Sequence, residues 1–308
     1  MELRARNNLA WLSVADDPRS TLETARQGYE LATAMGVGDM AVQLADVACA
    51  AAIETGDWAW ALETATTLGA GPLSDEFRMD LGASVAIIRS LQGHPQPMAA
   101  VDAMPMPSST DPQVLAGLLH ARAWASFVAG AFDEARRFAM QAAESSLGAE
   151  RANQWTLATR SSLWLLDPEA AAAGLHELRG LGLSGRAVHA ASMTMEAGVV
   201  ALSGREEARR RYRRAAEAWR ELDLPFHLAL TLLDAQRLLG DAGDGGEALA
   251  ILAALGADGL AAVAISAVSP AAGPPRPARS RPPSARTAHR TGGGRRRPRA
   301  TDRRVPPG

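Results

Sequence analysis

Small and apolar residues recur at helical spacing along most of this chain, and the pattern itself repeats. It is plainest in Gly56-Asp57-Trp58-x-x-Ala61, Gly130-Ala131-Phe132-Asp133-Glu134-Ala135 and Gly204-Arg205-Glu206-Glu207-Ala208. In each, a short turn separates two apolar helical stretches, and an alanine holds one fixed place in the second. Followed through the chain, that alanine falls at Ala25, Ala61, Ala99, Ala135, Ala171, Ala208 and Ala248, 36 to 40 residues apart. A period of this length marks a stacked helical solenoid, in which each helix pair buries its apolar face against its neighbours. The sets Ala25/Tyr29/Ala32, Ala208/Tyr212/Ala215 and Ala248/Leu252/Leu255 share i, i+4, i+7 spacing, so each lines one helix face. No alternating β-branched run is long enough to predict a strand. The expected fold is all-α, an α-α superhelix of about seven antiparallel helix pairs over 1–267, followed by a Pro/Arg/Gly-rich tail over 268–308.

Local signals place the helix boundaries. Ser20-Thr21-Leu22-Glu23 and Ser203-Gly204-Arg205-Glu206 have the spacing of capping boxes, in which hydroxyl and carboxylate satisfy orphan amides. Asp111-Pro112 and Asp167-Pro168 set a capping side chain before a proline at the first helical position. Leu224-Pro225 ends one helix and opens the next. Gly240-Asp241-Ala242-Gly243-Asp244-Gly245-Gly246 reads as a flexible turn between helices. No strand precedes it, and its two Asp would repel a phosphate.

Composition narrows the chemistry. All 32 basic residues are Arg, which excludes a P-loop lysine, a Schiff-base lysine and a lysine nucleophile. The single cysteine, Cys49, excludes an internal disulfide and a cysteine-based zinc site, and it falls where a small side chain is needed at the helix crossing. The six histidines form no metal-ligand spacing, so no metal and no cofactor is expected. Acid pairs such as Asp75/Glu76 and Glu206/Glu207 sit at helix starts, where carboxylates offset the dipole. The net charge of −2 divides into about −12 over 1–267 and +10 over the tail. The tail has too little apolar area to offset its chain entropy and is expected to be disordered. Its arginines lack interleaved aromatics, which argues against base stacking on nucleic acid. The N-terminus has no apolar signal region and no stretch approaches 18 apolar residues, so a cytoplasmic chain with no membrane partner is expected.

The repeat resembles the tetratricopeptide repeat in a lengthened, degenerate form, over about 1–257. Leu9 or Leu119 stands where that family has Trp, and its closing Pro is mostly missing. The run Ala215–Asp234, with Arg6-Asn7-Asn8-Leu9-Ala10 and Asp16-Asp17-Pro18, is similar to repeats of large bacterial signalling proteins. In those proteins an NTPase module precedes a helical-repeat region, some with a class III cyclase domain, others with a LuxR-type helix-turn-helix. The resemblance implies a sensory repeat region and places no catalytic residue here.

The family's groove positions, laid on this register, give Asn7, Gln43, Asp46, His120, Trp124, Asn153 and Arg160. This mixture suits a protein or peptide in a concave groove, with the aromatic as anchor; Trp124 also fits the packing between repeats. Large apolar residues on both terminal helices, among them Leu3, Leu9, Trp11 and Leu12, suggest self-association through uncapped ends, or a chain that is a segment of a longer protein. The expected function is a non-enzymatic scaffold or signal relay. The alternative is a fragment of a signalling NTPase, adenylate cyclase or LuxR-type regulator whose catalytic or DNA-binding domain lies elsewhere.

Overall fold

The computed structural model describes residues 2–103, 112–240 and 242–268. The chain is all-α. The first pairs are α1 (Glu2–Ser13) with α2 (Pro18–Ala34), α3 (Gly38–Thr55) with α4 (Trp58–Gly69), and α5 (Asp75–Leu91) with α6 (Ala99–Asp102). Then come α7 (Pro112–Val128) with α8 (Phe132–Ser145), and α9 (Gly148–Trp164) with α10 (Pro168–Gly180). The last are α11 (Arg186–Ala201) with α12 (Arg205–Glu221) and α13 (Pro225–Leu239) with α14 (Ala242–Leu255), followed by α15 (Asp258–Val268). Among the described residues no helix is long and apolar enough to cross a membrane. The tail beyond Val268 lies outside the described residues, as does Asp111.

Six of the seven repeat alanines are buried at helix crossings. The exception is Ala99, which is exposed on the four-residue α6. Cys49 fills the tight α3–α4 crossing, its Sγ 3.8 Å from the Ala61 carbonyl oxygen, and burial pushes its thiol up to about 12. The close approach is also set by glycine. A Cβ at Gly174 would lie 2.4 Å from Thr159 Oγ1, so α10 can seat on α9 only without a side chain there.

Asp167 caps α10 as expected, accepting from the Ala170 amide at 3.0 Å. The two capping boxes do not form. Helix α2 begins three residues earlier, at Pro18, because Asp17 accepts from the Arg19 and Ser20 amides and the proline occupies the first helical position. Ser203 turns its hydroxyl back onto the Val200 carbonyl, leaving Gly204 as the N-cap of α12. The glycine-rich turn is also shorter than expected. Gly240 ends α13 in the left-handed conformation and α14 starts at Ala242, with Gly245 packed against Gln236 where a Cβ would lie 2.2 Å away.

The array closes on itself. Helix α11 begins without a side-chain cap, and its first amides are satisfied by the α1–α2 turn instead. Arg186 N–H donates to Asp16 Oδ1 at 2.9 Å, Ala187 N–H to the Asp16 carbonyl and Val188 N–H to the Ala15 carbonyl, both at 3.2 Å. Arg19 Nη2 donates to the Asp223 carbonyl at 2.6 Å. Phe226 at the start of α13 packs between Trp58 and Trp124, each ring centroid 5.6 Å away. The last helices lie along a row of turn glycines, Gly56, Gly93 and Gly130, one repeat apart, which Leu255, Gly259 and Val263 respectively approach. At Gly93 the contact is backbone on backbone, for a Cβ on Gly259 would lie 2.6 Å from Gly93 Cα.

This closure covers part of the apolar surface expected at the two ends, though Ile265 on α15 stays exposed. Leu252, Leu260 and Val263 are buried, whereas Leu9 and Leu12 on α1 stay exposed, Leu12 at 80 %.

Candidate functional site

The first helix of each pair turns one stripe of side chains inward. On α3 the stripe is Asp46, Ala50, Ile53 and Glu54; on α5, Asp80, Ser84 and Ile87; on α7, Gly117, His120 and Trp124; on α9, Glu150, Asn153, Gln154, Leu157 and Arg160. These spacings of three and four residues follow from the helical period. Closure adds Trp11 from α1, Val188 from α11, Trp219 from α12 and His227 from α13. Together they line a cavity of about 230 Å³.

The walls differ in their electrostatics. On one, every charge is matched. Arg160 Nε donates to Asp234 Oδ2 at 2.9 Å and Trp164 Nε1 to Asp234 Oδ1 at 2.7 Å, all three side chains buried. Burial pushes the Asp234 carboxyl up, against the pull of the Arg160 guanidinium and the Trp164 hydrogen bond. His227 Nε2 lies 2.5 Å from Glu54 Oε2 and its ring stacks on Trp219 at 4.5 Å. Burial would raise the Glu54 carboxyl, but His227, with His120 and Arg160, outweighs it and holds the group low. Trp219 Nε1 donates to Thr194 Oγ1 at 3.0 Å, and Thr194 meets Thr231 at 3.2 Å.

A second, acidic wall gathers Asp46, Asp80 and Glu150 from three helices. Burial and then the charges of Asp80 and Glu150 push Asp46 up to about 8. Burial and then Asp80 push Glu150 up to about 7. Like charges brought together out of water resist joint ionisation, so this wall holds protons that free carboxyls would release. Between the walls, Trp124 Nε1 donates to His120 Nε2 at 3.2 Å. An indole nitrogen only donates, so His120 accepts there, and its neutral ring carries the proton on Nδ1. Burial keeps it neutral, pushing its pKa down to about 4. His120 Nδ1 and Gln154 Oε1 are buried without hydrogen-bond partners.

Of the seven groove positions, Asp46, His120, Trp124, Asn153 and Arg160 meet around this cavity. Asn7 and Gln43 are half-buried on α1 and α3 and are not part of the lining. Trp124 serves both roles weighed for it, lining the cavity while packing on Phe127 and Phe226. Arg160 is committed to Asp234. Sequence reasoning missed Asp80, Glu150 and Gln154, although the period pointed to two of them: steps of 37 residues from Gln43 land on Asp80, Gly117 and Gln154. Glu54, Trp219 and His227 carried no such signal, because only closure brings them together.

Among the described residues no group of three or more His, Cys, Asp or Glu side chains is arranged to hold a metal ion. Fold and site together define an all-α helical-repeat protein with a cavity on its inner face. No family model matches the chain, and comparison with curated proteins and with solved structures finds no match.

Proposed function

We propose that this chain is a non-enzymatic helical-repeat module that receives a peptide side chain or small ligand on its inner face and relays occupancy within a bacterial regulator. The observation that carries this reading is the convergence of five groove residues from α3, α7 and α9 on one cavity bridged by α1, α11 and α13. Binding is favoured over acid–base chemistry because His227 is engaged by Glu54 and His120 is kept neutral by burial, its Nε2 accepting from Trp124. Relay is supported by the closing contacts. Arg186–Asp16, Arg186–Asp17 and Arg19–Asp223 are solvent-facing pairs that each contribute little alone. An occupant touching both sides of the seam would favour the closed state by its differential affinity.

The alternative, that the module belongs to a signalling NTPase, adenylate cyclase or LuxR-type regulator, is supported by exposed Leu9 and Leu12, which a further domain could cover. The test is a thermal-shift screen of the full chain against short peptides and small metabolites, repeated on Ala50→Trp. Ala50 is exposed at the cavity lining, so a large side chain there obstructs the cavity without displacing core. Stabilising compounds should lose their effect on the variant. Compounds acting equally on both proteins, or no stabilising compound at all, would overturn the reading.

A further inference from the structure

Resting on the inner-face reading above, we infer that the cavity selects an organic ammonium group carried on an apolar body. Asp46, Asp80 and Glu150 offer carboxyl oxygens from three helices, and α9 adds Gln154 one turn beyond Glu150. Gln154 is 4 % exposed and its Oε1 has no hydrogen-bond partner, a buried acceptor that an N–H donor would satisfy. Asp46, Glu150 and Gln154 supply acceptors for a group with up to three N–H donors.

The other charges of the cavity do not cancel this demand. Arg160 is paired with Asp234, His227 with Glu54, and His120 is neutral against Trp124. Among the described residues no guanidinium or imidazolium pairs with Asp46 or Glu150; the charges that reach Asp46 are those of Asp80 and Glu150. Because the acidic side chains are not gathered at metal-ligand distances, a larger, directional cation fits them better than a bare metal ion.

The remaining lining selects the body. Trp124, Trp219, Ile53, Ile87 and Leu157 surround the polar wall, and tryptophan faces attract alkylammonium groups. The volume of about 230 Å³ lies below the ~300–1,000 Å³ of drug-sized pockets, so the guest is small. The unpartnered His120 Nδ1–H would additionally favour an acceptor on that body. The ammonium could come from a free amine or from a lysine side chain inserted by a peptide; the chemistry recognised is the same.

Empty, the acidic wall carries protons. A bound ammonium replaces them, so binding releases protons and tightens as pH rises from 6 towards 9. Asp46 and Glu150 drive this dependence; of the other groups facing the same space, Glu54 is held low, His120 is kept neutral by burial, His227 is paired with Glu54 and Arg160 with Asp234.

Titration calorimetry on the full chain at pH 8.5 tests the inference with 2-phenylethylammonium, 2-phenylethanol, phenylacetate and a capped Leu-Lys-Leu peptide with and without lysine acetylation. At least one ammonium probe should bind about tenfold or more tighter than its uncharged analogue, with proton release on comparing two buffers, and phenylacetate should not compete. Tighter binding of phenylethylammonium identifies a free amine as the source; tighter binding of the unacetylated peptide identifies a peptide. Asp46→Asn should keep its helical spectrum and lose about tenfold or more in ammonium affinity. Equal affinity for the alcohol, preference for phenylacetate, or undiminished binding by Asp46→Asn overturns the inference. If the uncharged or anionic probes bind and Ala50→Trp abolishes that binding, only the ammonium preference falls. If no probe binds and the wider screen is also empty, the inner-face reading falls with it.

Discussion

Both walls of the cavity set buried Asp and Glu side chains against their surroundings, and they differ in whether those charges are matched. On the matched side, Asp234 of α13 is enclosed by Arg160 and Trp164 of α9, and Glu54 of α3 is paired with His227 of α13. On the α3–α5–α9 side, Asp46 and Glu150 face other acids. A carboxylate whose hydrogen bonds are met within the protein fixes helices in place, and its removal is felt as lost stability. A carboxyl brought out of water among like charges costs the empty protein stability and gains from whatever positive group arrives. The lesson is that burial alone does not separate structural from functional acids; the partner does.

The comparison can be broken most forcefully at Asp234. Asp234→Ala leaves Arg160 buried without its counter-charge and should cost ~3–5 kcal/mol in urea unfolding followed by circular dichroism. A loss under about 1 kcal/mol would mean that the guanidinium finds another acceptor and that the wall is not a matched unit.

A smaller effect of opposite sign is expected at Asp46. The folded protein holds this proton up to about 8, whereas the unfolded chain releases it near the ordinary value of 3.8. Between those limits the folded state binds more protons, so stability falls as pH rises through the window. Asp46→Asn should flatten that fall and raise stability above pH 8 by ~1–2 kcal/mol, a discounted share of the linkage because Asp46 keeps partial solvent contact. Thermal midpoints measured from pH 5 to 9 give the slope; an unchanged slope would remove Asp46 from the acidic wall.

The least effect belongs to the seam. The Arg186 amide, ahead of the side-chain contacts, holds the Asp16 carboxyl below its ordinary value. Arg186→Ala keeps that amide and should leave the thermal midpoint nearly unchanged, while speeding hydrogen exchange in the first turn of α11. Unchanged exchange there would show that the backbone bonds alone hold the closure.

Much of this architecture was legible because a repeat writes its packing locally. Ala61, Ala135 and Ala208 mark crossings that recur with the same geometry, and Asp167-Pro168 marks a helix start by chemistry confined to four residues. The same register brought Asp46, His120 and Asn153 to one face. The third pair was over-read, since a period does not say how long α6 must be. Ser20 was over-read because Asp17 three residues earlier competes for the same amides. Closure was not legible at all. Two of the three bonds from α11 to Ala15 and Asp16 run between backbone groups, which every residue carries, and the third needs only one aspartate in a turn that already has two.

That seam also governs the order in which the chain can assemble and come apart. An open stack of helix pairs gains its contacts from neighbours and frays from either end. Here Arg186 meets Asp16 across 170 residues and Arg19 meets Asp223 across 204. Drawing in a loop of 170 residues instead of one 37-residue repeat costs only ~1.4 kcal/mol more in chain entropy. That cost has to be met before any seam contact repays it, which places closure late, after the pairs have stacked. Once shut, the first and last pairs hold each other, and unravelling must begin by parting two surfaces at once. An array that would otherwise melt pair by pair then behaves as one cooperative body, with its cavity present only while the whole is intact.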